Sequence, residues 1–345
     1  MKRASRLLER IAEPDNLRLA FWKARKGKSL STQMQAYQNR LEHNLLLLRG
    51  QILSGKISIG AYSCFAIHDP KKRRICAAPF TEQVLHHALM NVCHYHFETK
   101  QIYDSYASRP GKGTHAAVRR TQMFSGASSW FLKLDVRKFF ASIHHGCLKE
   151  QLRRMFKDHH LLGLLDTIID SYEDSPGRGL PIGNLSSQYF ANHYLAGLDH
   201  FIKEQLRCRA YIRYMDDMVL WHNDKKRLKE WHHQIREFVR NRLQCELKPI
   251  LLNRTEHGVP FLGYRIFPFH IRLLQRSKAR FIRKMRYIER KYQSGAWSEQ
   301  NCQRHALPLI AFTALANAEV FRRDVMQRLQ NDRASDVEKG DGSLS

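Results

Sequence analysis

The sequence predicts an α+β protein, because segments with helical spacing of apolar residues are interspersed with short strand-like segments. Residues 1–55 show the helical pattern, with Leu41, Leu45 and Leu48 on one face. In WFLKLDVRKFF (130–140) the alternation has a period of two, which is typical of a strand. These two patterns, and the way they recur along the chain, define the predicted fold class.

The first half of the chain continues in the same way. FAIHDPKKRRICAAPF (65–80) predicts a strand, a basic turn and a returning strand. Residues 81–98 predict a helix, and SYASRPGKGTHAAVRR (105–120) predicts a Pro/Gly loop that opens a short helix. Within 130–140, the period of two places Asp135 on the face opposite its apolar neighbours.

The second half carries a helix, two strand regions and a basic helix. Ser186 and Ser187 predict the cap of a helix that continues to about residue 202. YIRYMDDMVLW (211–221) predicts strand, tight turn and strand, and VPFLGYRIF (259–267) predicts another strand. From residue 276, a helix has apolar residues on one face and basic residues on the rest.

Charge is the strongest feature of the composition. The 345 residues include 58 Lys and Arg against 32 Asp and Glu, a formal net charge of +26. This excess favours a polyanionic partner, either nucleic acid or an anionic membrane surface. The longest apolar run, LLLL at 45–48, is far shorter than the ~18 residues of a membrane span. The seven cysteines are scattered without a CxxC pair, so we expect a reduced, cytoplasmic protein without a disulfide framework.

Three acids stand out as candidates for chemistry. Asp216 and Asp217 lie at the predicted bend of 211–221, and Asp135 lies on a separate strand. Carboxylates held by hydrophobic strands suit hard divalent cations, and two Mg²⁺ ions can promote in-line nucleotide transfer. The alternative is an ordinary Asp-Asp turn. Flanking strands that are apolar on both sides of the turn favour the functional interpretation.

Basic segments provide candidate phosphate contacts. KKRR (71–74) at a turn suits a triphosphate, a general nucleic-acid patch or a solvated tip. RPGKG (109–113) offers backbone N–H groups beside Arg109 and Lys112. The basic helix fits a duplex backbone. Its candidate contacts are Arg276, Lys278, Arg280, Arg283 and Lys284.

Taken in order, FLKLDVRKFF, GLPIGNLSSQ, RYMDDMVL and LKPILLNRTEHGVPFLGY resemble the motifs of reverse transcriptases, over roughly residues 35–330. DPKKRRICAAPF, VLHHALM and SYASRPGKGTHAA are similar to segments of diversity-generating retroelement enzymes and of their group II intron relatives. Most reverse transcriptases carry Gln-Gly-x-x-x-Ser-Pro where this chain has Ile182 at the first position and Gln188 at the last. That difference resembles the retroelement group.

The resemblance implies a right-hand polymerase fold with fingers, a palm made of an antiparallel sheet with helices, and a short helical thumb. The implied divisions are an N-terminal helical segment 1–55, fingers 56–129, palm 130–270 with helix insertions, thumb 271–330 and a disordered tail 331–345.

The resemblance also implies roles for individual residues. The catalytic ligands of two Mg²⁺ ions would be Asp135, Asp216 and Asp217. The residues that bind the incoming dNTP would be Lys72, Arg74, Phe140 and Lys248, with Phe140 as the gate against a ribose 2′-hydroxyl. The floor under the nascent base pair would be lined by Ile182, Gly183 and Gln188.

The function implied by the resemblance is copying of a template-repeat RNA into cDNA with misincorporation opposite adenines. The cDNA would replace a variable repeat in a target gene. Expected partners are the template RNA, the cDNA, dNTPs and a small basic helical accessory protein that forms an oligomeric ring. The expected location is the cytoplasm, for a protein encoded by a bacterium, an archaeon or a phage. Two alternatives remain open: a group II-like or host-defence reverse transcriptase without adenine mutagenesis, and a non-catalytic RNA-binding module on a polymerase scaffold.

Overall fold

A computed structural model describes the backbone of residues 6–28, 31–68 and 72–341. The side chains of His68, Lys72 and residues 332–341 lie outside this description. The chain divides into two compact units. The first comprises Met1–Gly111, Lys133–Val219 and Lys229–Ile250, and the second comprises Lys112–Leu132, Leu220–Leu228 and Leu251–Ser345. The boundaries of fingers, palm and thumb differ from these units and stay predictions.

The amino-terminal part is helical and ends in a hairpin and a long helix. Its elements are α1 (Leu8–Ile11), α2 (Pro14–Ala24), α3 (Thr32–Asn39), α4 (Leu41–Ser54), β1 (Ser63–His68), β2 (Lys72–Ala77) and α5 (Phe80–Glu98). The predicted face of α5 is buried, including Val84, Leu85 and Leu89. The ring of Phe21 on α2 meets that of Phe80 edge to face at 6.1 Å. The helix predicted over 81–98 is therefore confirmed, and α2 packs against it.

The central part alternates helices with the main strands. Its elements are α6 (Thr114–Gly126), β3 (Trp130–Asp135), α7 (Phe139–Ser142), α8 (His145–Met155), α9 (His159–Asp170), α10 (Leu185–Tyr194), α11 (Ala196–His200), β4 (Tyr211–Tyr214), β5 (Asp217–His222) and α12 (Lys225–Leu243). The helix expected to run to residue 202 is interrupted after Tyr194, and Phe201–Gln205 forms a π-helical turn. The predicted strand, tight turn and strand of 211–221 are confirmed.

The carboxyl-terminal part contains short strands and then helices. Its elements are β6 (Leu251–Arg254), β7 (Val259–Phe261), β8 (Tyr264–Ile266), β9 (Ile271–Leu273), α13 (Gln275–Gln293), α14 (Glu299–Ala314) and α15 (Glu319–Asp341). A single strand over 259–267 was the wrong expectation, because Leu262 and Gly263 have φ of +50° and +93° and turn the chain into a hairpin. The backbone of the tail, expected to be disordered from residue 331, continues as helix to Asp341.

Three sheets are described. The strands of the main sheet lie in the order β4-β5-β3-β6, so β5 is the direct neighbour of β3. β1 and β2 form an antiparallel hairpin, and β7, β8 and β9 form an antiparallel meander. The adjacency of β3 and β5 brings two acid-bearing strands of the sequence side by side.

A disulfide joins Cys64 of β1 to Cys76 of β2, which the scattered spacing of the cysteines did not predict. The two residues face each other in the hairpin register, with Cα atoms 4.1 Å apart. The expectation of a fully reduced chain is therefore wrong for this pair. Within the described residues, no helix is both long and apolar enough to cross a membrane.

Buried histidines should make the fold sensitive to acid. Burial lowers the pKa of His86 and of His193 from 6.5 to about 4. The folded state therefore binds fewer protons than the unfolded chain between these values. This contribution to stability is fully present above pH 6.5 and is lost as the pH falls toward 4, by up to about 3 kcal/mol per histidine.

We expect urea unfolding midpoints to drop between pH 7.5 and pH 5, and to drop less in the His86→Leu variant. The matched control is His43→Gln, which removes an exposed histidine and should keep the full pH dependence. An identical pH profile for wild type and His86→Leu would contradict this account.

Candidate active site

The three acids singled out by sequence lie at the ends of neighbouring strands. Asp135 is the last residue of β3, and Asp217 is the first residue of β5. Asp216 lies in the turn between β4 and β5, directly after Met215, whose φ is +56°. A non-glycine residue with positive φ is held there by its surroundings, since the conformation is unfavourable in isolation. The turn is therefore a constrained support for Asp216.

Lys248 is bound to Asp135 twice. Its backbone N–H donates to the Asp135 carbonyl at 2.8 Å, and its ammonium donates to Asp135 Oδ1 at 2.6 Å. The same stretch is fixed by the Arg137 N–H, which donates to the Glu246 carbonyl at 2.8 Å. Lys248, predicted to bind the incoming nucleotide, is thus held beside the first catalytic candidate by main-chain contacts.

A second lysine pairs with the acids and was missed by the sequence reasoning. The ammonium of Lys133 on β3 donates to Asp217 Oδ2 on β5 at 2.7 Å, and both side chains are largely buried. Lys133 precedes Asp135 by two residues and therefore lies on the same strand face. Phe131 lies on the same face and is fully buried. The strand face that carries Asp135 is therefore apolar at the beginning of β3 and polar toward its end.

The acids influence one another electrostatically. The pKa of Asp216 is raised to about 6, chiefly by burial and then by the negative charges of Asp135 and Asp217, which Lys248 partly offsets. Partly buried carboxylates of this kind match the ligand preference of Mg²⁺. Within the described residues, however, no three His, Cys, Asp or Glu side chains converge as metal ligands.

Carboxylate oxygens are suitable donors for a divalent cation, and an ion bound by these acids would compete with Lys133 and Lys248 for the same oxygens. The assignment of Asp135, Asp216 and Asp217 as ligands of two Mg²⁺ ions stays a prediction.

Phe140, the predicted ribose gate, lies in the short helix α7. The helix follows Lys138, whose φ is +45°, and the half-buried Phe140 ring lies 5.8 Å from that of Phe139. The Phe140 carbonyl accepts from the Leu180 N–H at 2.9 Å. Because Leu180 begins the segment that leads to Ile182, the candidate gate and the candidate floor are connected through the main chain.

The predicted floor rests on β2. The Ile182 carbonyl accepts from the Cys76 N–H at 2.9 Å. Gly183 has a φ of +139°, and a Cβ at this position would lie 2.9 Å from the Cys76 carbonyl oxygen. Only a residue without a side chain allows this approach of two backbones. Gln188, one turn into α10, accepts from the Ser108 hydroxyl at 2.9 Å.

The predicted triphosphate contacts lie on the same strand. Arg74 of β2 is exposed and faces Ala66 across the hairpin. The backbone of Lys72 belongs to β2, and its side chain lies outside the described residues. Arg74 is therefore two residues before Cys76, the residue on which the floor rests.

Arg109 has a structural environment that the sequence did not indicate. Its guanidinium, 9% exposed, forms a bidentate pair with Glu98 at 2.6–3.0 Å and donates to the carbonyls of Ile102 and Ser105. Most of its donors are thus used inside the protein. Contact of Arg109 with nucleic acid stays a prediction, as does that of Lys112 in the loop before α6.

The basic helix is confirmed as α13. Its apolar stripe, including Phe281, Met285 and Ile288, packs with Val325 and Leu329 of α15. Arg276 and Arg283 are exposed. Lys278 lies over the Phe321 ring at 5.4 Å and Arg280 over the Phe312 ring at 5.6 Å. The nucleic-acid contacts predicted for these four residues and Lys284 remain predictions.

An acid-bearing strand beside a Met-Asp-Asp hairpin is the arrangement expected of one class of enzyme, the RNA-directed DNA polymerases. The profile of the reverse transcriptase (RNA-dependent DNA polymerase) family matches residues 68–266, which is more than half of the chain. The chain belongs to this family.

Individual relatives share the family at low identity. Protein YkfC of Escherichia coli (strain K12) is 25% identical over 321 residues, which cover 76% of this chain and 83% of YkfC. Nuclear intron maturase 1 of Arabidopsis thaliana mitochondria is 27% identical over 100 residues, which cover 28% of this chain and 14% of the maturase. The chain thus spans most of YkfC and only a small part of the maturase.

The fold has a counterpart among solved structures. Apo telomerase from Candida tropicalis matches with a TM-score of 0.52 at 11% identity, covering 79% of this chain and 62% of the telomerase. At this identity the similarity concerns the fold alone, and it agrees with the mixed helix and sheet architecture expected of a right-hand polymerase.

The contact between Gly183 and β2 predicts a specific sensitivity. Gly183→Ala places a Cβ against the Cys76 carbonyl at a φ unfavourable for side chains. We expect a loss of about 1–3 kcal/mol in unfolding free energy and reduced primer extension, because the floor must move away from β2.

The matched control is Gly163→Ala in α9, where a Cβ meets nothing within 4 Å. It should be neutral or stabilising by up to about 1 kcal/mol, because alanine favours the helix. Chemical denaturation and primer extension test both variants, and equal behaviour of the two would contradict the proposed close approach.

Proposed function

We propose that the chain copies a template-repeat RNA into cDNA with misincorporation opposite adenines, as the polymerase of mutagenic retrohoming into a variable target gene. The observation that carries this proposal is the composition of the floor. Ile182 replaces the glutamine, and Gln188 the proline, that most reverse transcriptases have at these positions. According to this proposal, the residues under the nascent base pair cause the errors at template adenines.

The physical reason lies in what these two residues bind. Ile182 has no polar side chain and contributes its carbonyl to Cys76. Gln188 keeps a backbone N–H and a flexible side chain that accepts from Ser108, where a proline would provide a rigid ring without a donor. A floor with altered hydrogen bonding and stiffness holds the template base less strictly, and we infer that selection at adenines is relaxed as a result.

The chain's own residues would divide the work of nucleotide transfer. Arg74 and Lys72 of β2 bind the triphosphate, and Phe140 excludes a 2′-hydroxyl. Lys248 supports Asp135 and supplies positive charge beside the incoming nucleotide. Asp135, Asp216 and Asp217 would hold two Mg²⁺ ions, which supply activation of the 3′-hydroxyl and stabilisation of the leaving pyrophosphate.

The proposed partners follow from charge and from the resemblance. A formal net charge of +26 suits long contacts with the template RNA and with the RNA–cDNA duplex. α13 would follow the duplex backbone through Arg276, Lys278, Arg280, Arg283 and Lys284. A small basic helical accessory protein in an oligomeric ring, and a cytoplasmic location, complete the proposal.

A second candidate is a group II-like reverse transcriptase with ordinary selection at adenines. Its support is the presence of intron maturases among the relatives. A non-catalytic RNA-binding module is the third candidate, and retention of all three acids, each in a constrained position, argues against it.

One experiment separates the three. The chain is expressed with its flanking genes and an adenine-containing RNA template, beside an Asp216→Ala variant, and the cDNA is sequenced. We expect cDNA from wild type alone, with substitutions concentrated at template adenines. Errors spread evenly over the bases would favour the group II-like candidate, and equal absence of cDNA from both proteins would favour the binding module.

The role of the floor has its own test. Ile182→Gln combined with Gln188→Pro should lower the adenine error frequency relative to errors at other bases, because it restores the common pair. Ser108→Ala is measured beside it to isolate the hydrogen bond, since it removes the donor to Gln188 and leaves Gln188 in place. An error spectrum unchanged by the double substitution would reject the assignment of fidelity to the floor.

A further inference from the structure

A fully buried ion pair lies directly behind the turn that carries Asp216. Arg213 on β4 and Asp199 on α11 are both 0% exposed. The Arg213 Nε donates to both Asp199 oxygens at 2.8 and 2.9 Å, and Nη2 donates to Oδ2 at 2.6 Å. The Tyr211 hydroxyl adds a third donor group to Asp199 at 2.7 Å. Because two charges are costly to bury, the contribution of such a pair to stability is small or negative.

The Nη1 group of the same guanidinium contacts the turn. Nη1 of Arg213 donates to the Met215 carbonyl at 3.1 Å. That carbonyl belongs to the peptide that joins Met215 to Asp216, so the hydrogen bond fixes the orientation of the peptide. Met215 is the residue with positive φ, and the contact acts where the backbone is least favourable by itself.

The guanidinium also reaches the helix of the floor. Nη1 donates to the Asn192 Oδ1 at 3.1 Å, and the Asn192 amide donates to the Ala107 carbonyl at 2.7 Å. Asn192 lies one helical turn after Gln188 on α10. The neighbouring Ser108 binds Gln188 itself. The turn and the floor are therefore joined through one asparagine.

The backbone of Arg213 is also held by hydrogen bonds. The Arg213 N–H donates to the Asp104 carbonyl and the Tyr106 N–H donates to the Arg213 carbonyl, both at 3.0 Å. Arg213 is thus fixed at its backbone by residues 104–106 and at its side chain by Asp199. Its remaining donors have little freedom to move away from Met215.

We propose that Arg213 is a positioning residue for Asp216: anchored by Asp199, its guanidinium holds the Met215 carbonyl and so sets the direction of the Asp216 carboxylate. This inference rests on the proposed role of Asp216 in nucleotide transfer. Because Arg213 also donates to Asn192 of α10, one guanidinium positions both the Asp216 turn and the helix that carries Gln188.

The test must separate positioning from stability. Arg213→Met alone leaves Asp199 buried without its partner and should destabilise the fold. Arg213→Met with Asp199→Asn removes both charges and keeps an acceptor for Tyr211. We expect this double variant to recover most of the melting temperature lost by the single variant, while kcat stays reduced by about 30-fold or more and KM for dNTP changes by less than about threefold.

The matched control is Tyr211→Phe, which removes one donor to Asp199 and leaves the Met215 contact intact. It should lower the melting temperature and keep kcat near wild type on an RNA template with a DNA primer. A double variant with wild-type kcat would overturn the proposal. A kcat loss in Tyr211→Phe as large as that of the double variant would also overturn it, because kcat would then follow stability and not the Met215 contact.

Two further variants keep the outcome clear. If the double variant does not fold, Asp199→Asn replaces it: weakening the anchor should lower kcat by about fivefold, and wild-type kcat would again reject the proposal. Asp216→Ala is measured in parallel. Full activity of that variant would refute the role of Asp216 itself, a result distinct from failure of the Arg213 contact.

Discussion

Repulsion among three neighbouring carboxylates is the constraint around which the site is organised. The structure offsets it with two lysines, Lys133 on Asp217 and Lys248 on Asp135, and leaves Asp216 with a raised pKa between them. Both lysines come from the main sheet or the segment that pairs with it. The adjacency of β5 and β3 therefore places Lys133 beside Asp217 and offsets part of the repulsion.

The segment 179–192, which contains Ile182 and Gly183, has no charged residue although the chain is strongly basic. Much of the positive charge lies in α13 and in KKRR (71–74). Near Ile182 and Gly183 the contacts are main-chain hydrogen bonds and close backbone approach. A charged side chain there would disturb both the acids and the base pair that the floor is proposed to support.

Much of this could be predicted from sequence because it depends on local patterns. Short stretches of sequence are enough to show the two-residue alternation of β3, the hairpin around Asp216 and the apolar face of α13. Lys133, Arg213 and the Cys64–Cys76 disulfide were not predicted, because their roles depend on which strands and helices become neighbours. The turn at Leu262 and Gly263 was missed although it has a local glycine signal, since the flanking apolar residues suggested one continuous strand.

The pairing of Lys248 with Asp135 has a consequence for synthesis of the chain. The partners are 113 residues apart, and all three acids precede the lysine. At about 5–20 residues per second, roughly 6–23 s separate the appearance of Asp135 from that of Lys248 on a translating ribosome. A fragment that ends between Asp217 and Lys248 contains all three acids and Lys133, the partner of Asp217, but lacks Lys248, the partner of Asp135. The ion pair of Asp135 can therefore form only after Lys248 has been synthesised, and such truncated products would carry Asp135 beside the other acids without its lysine.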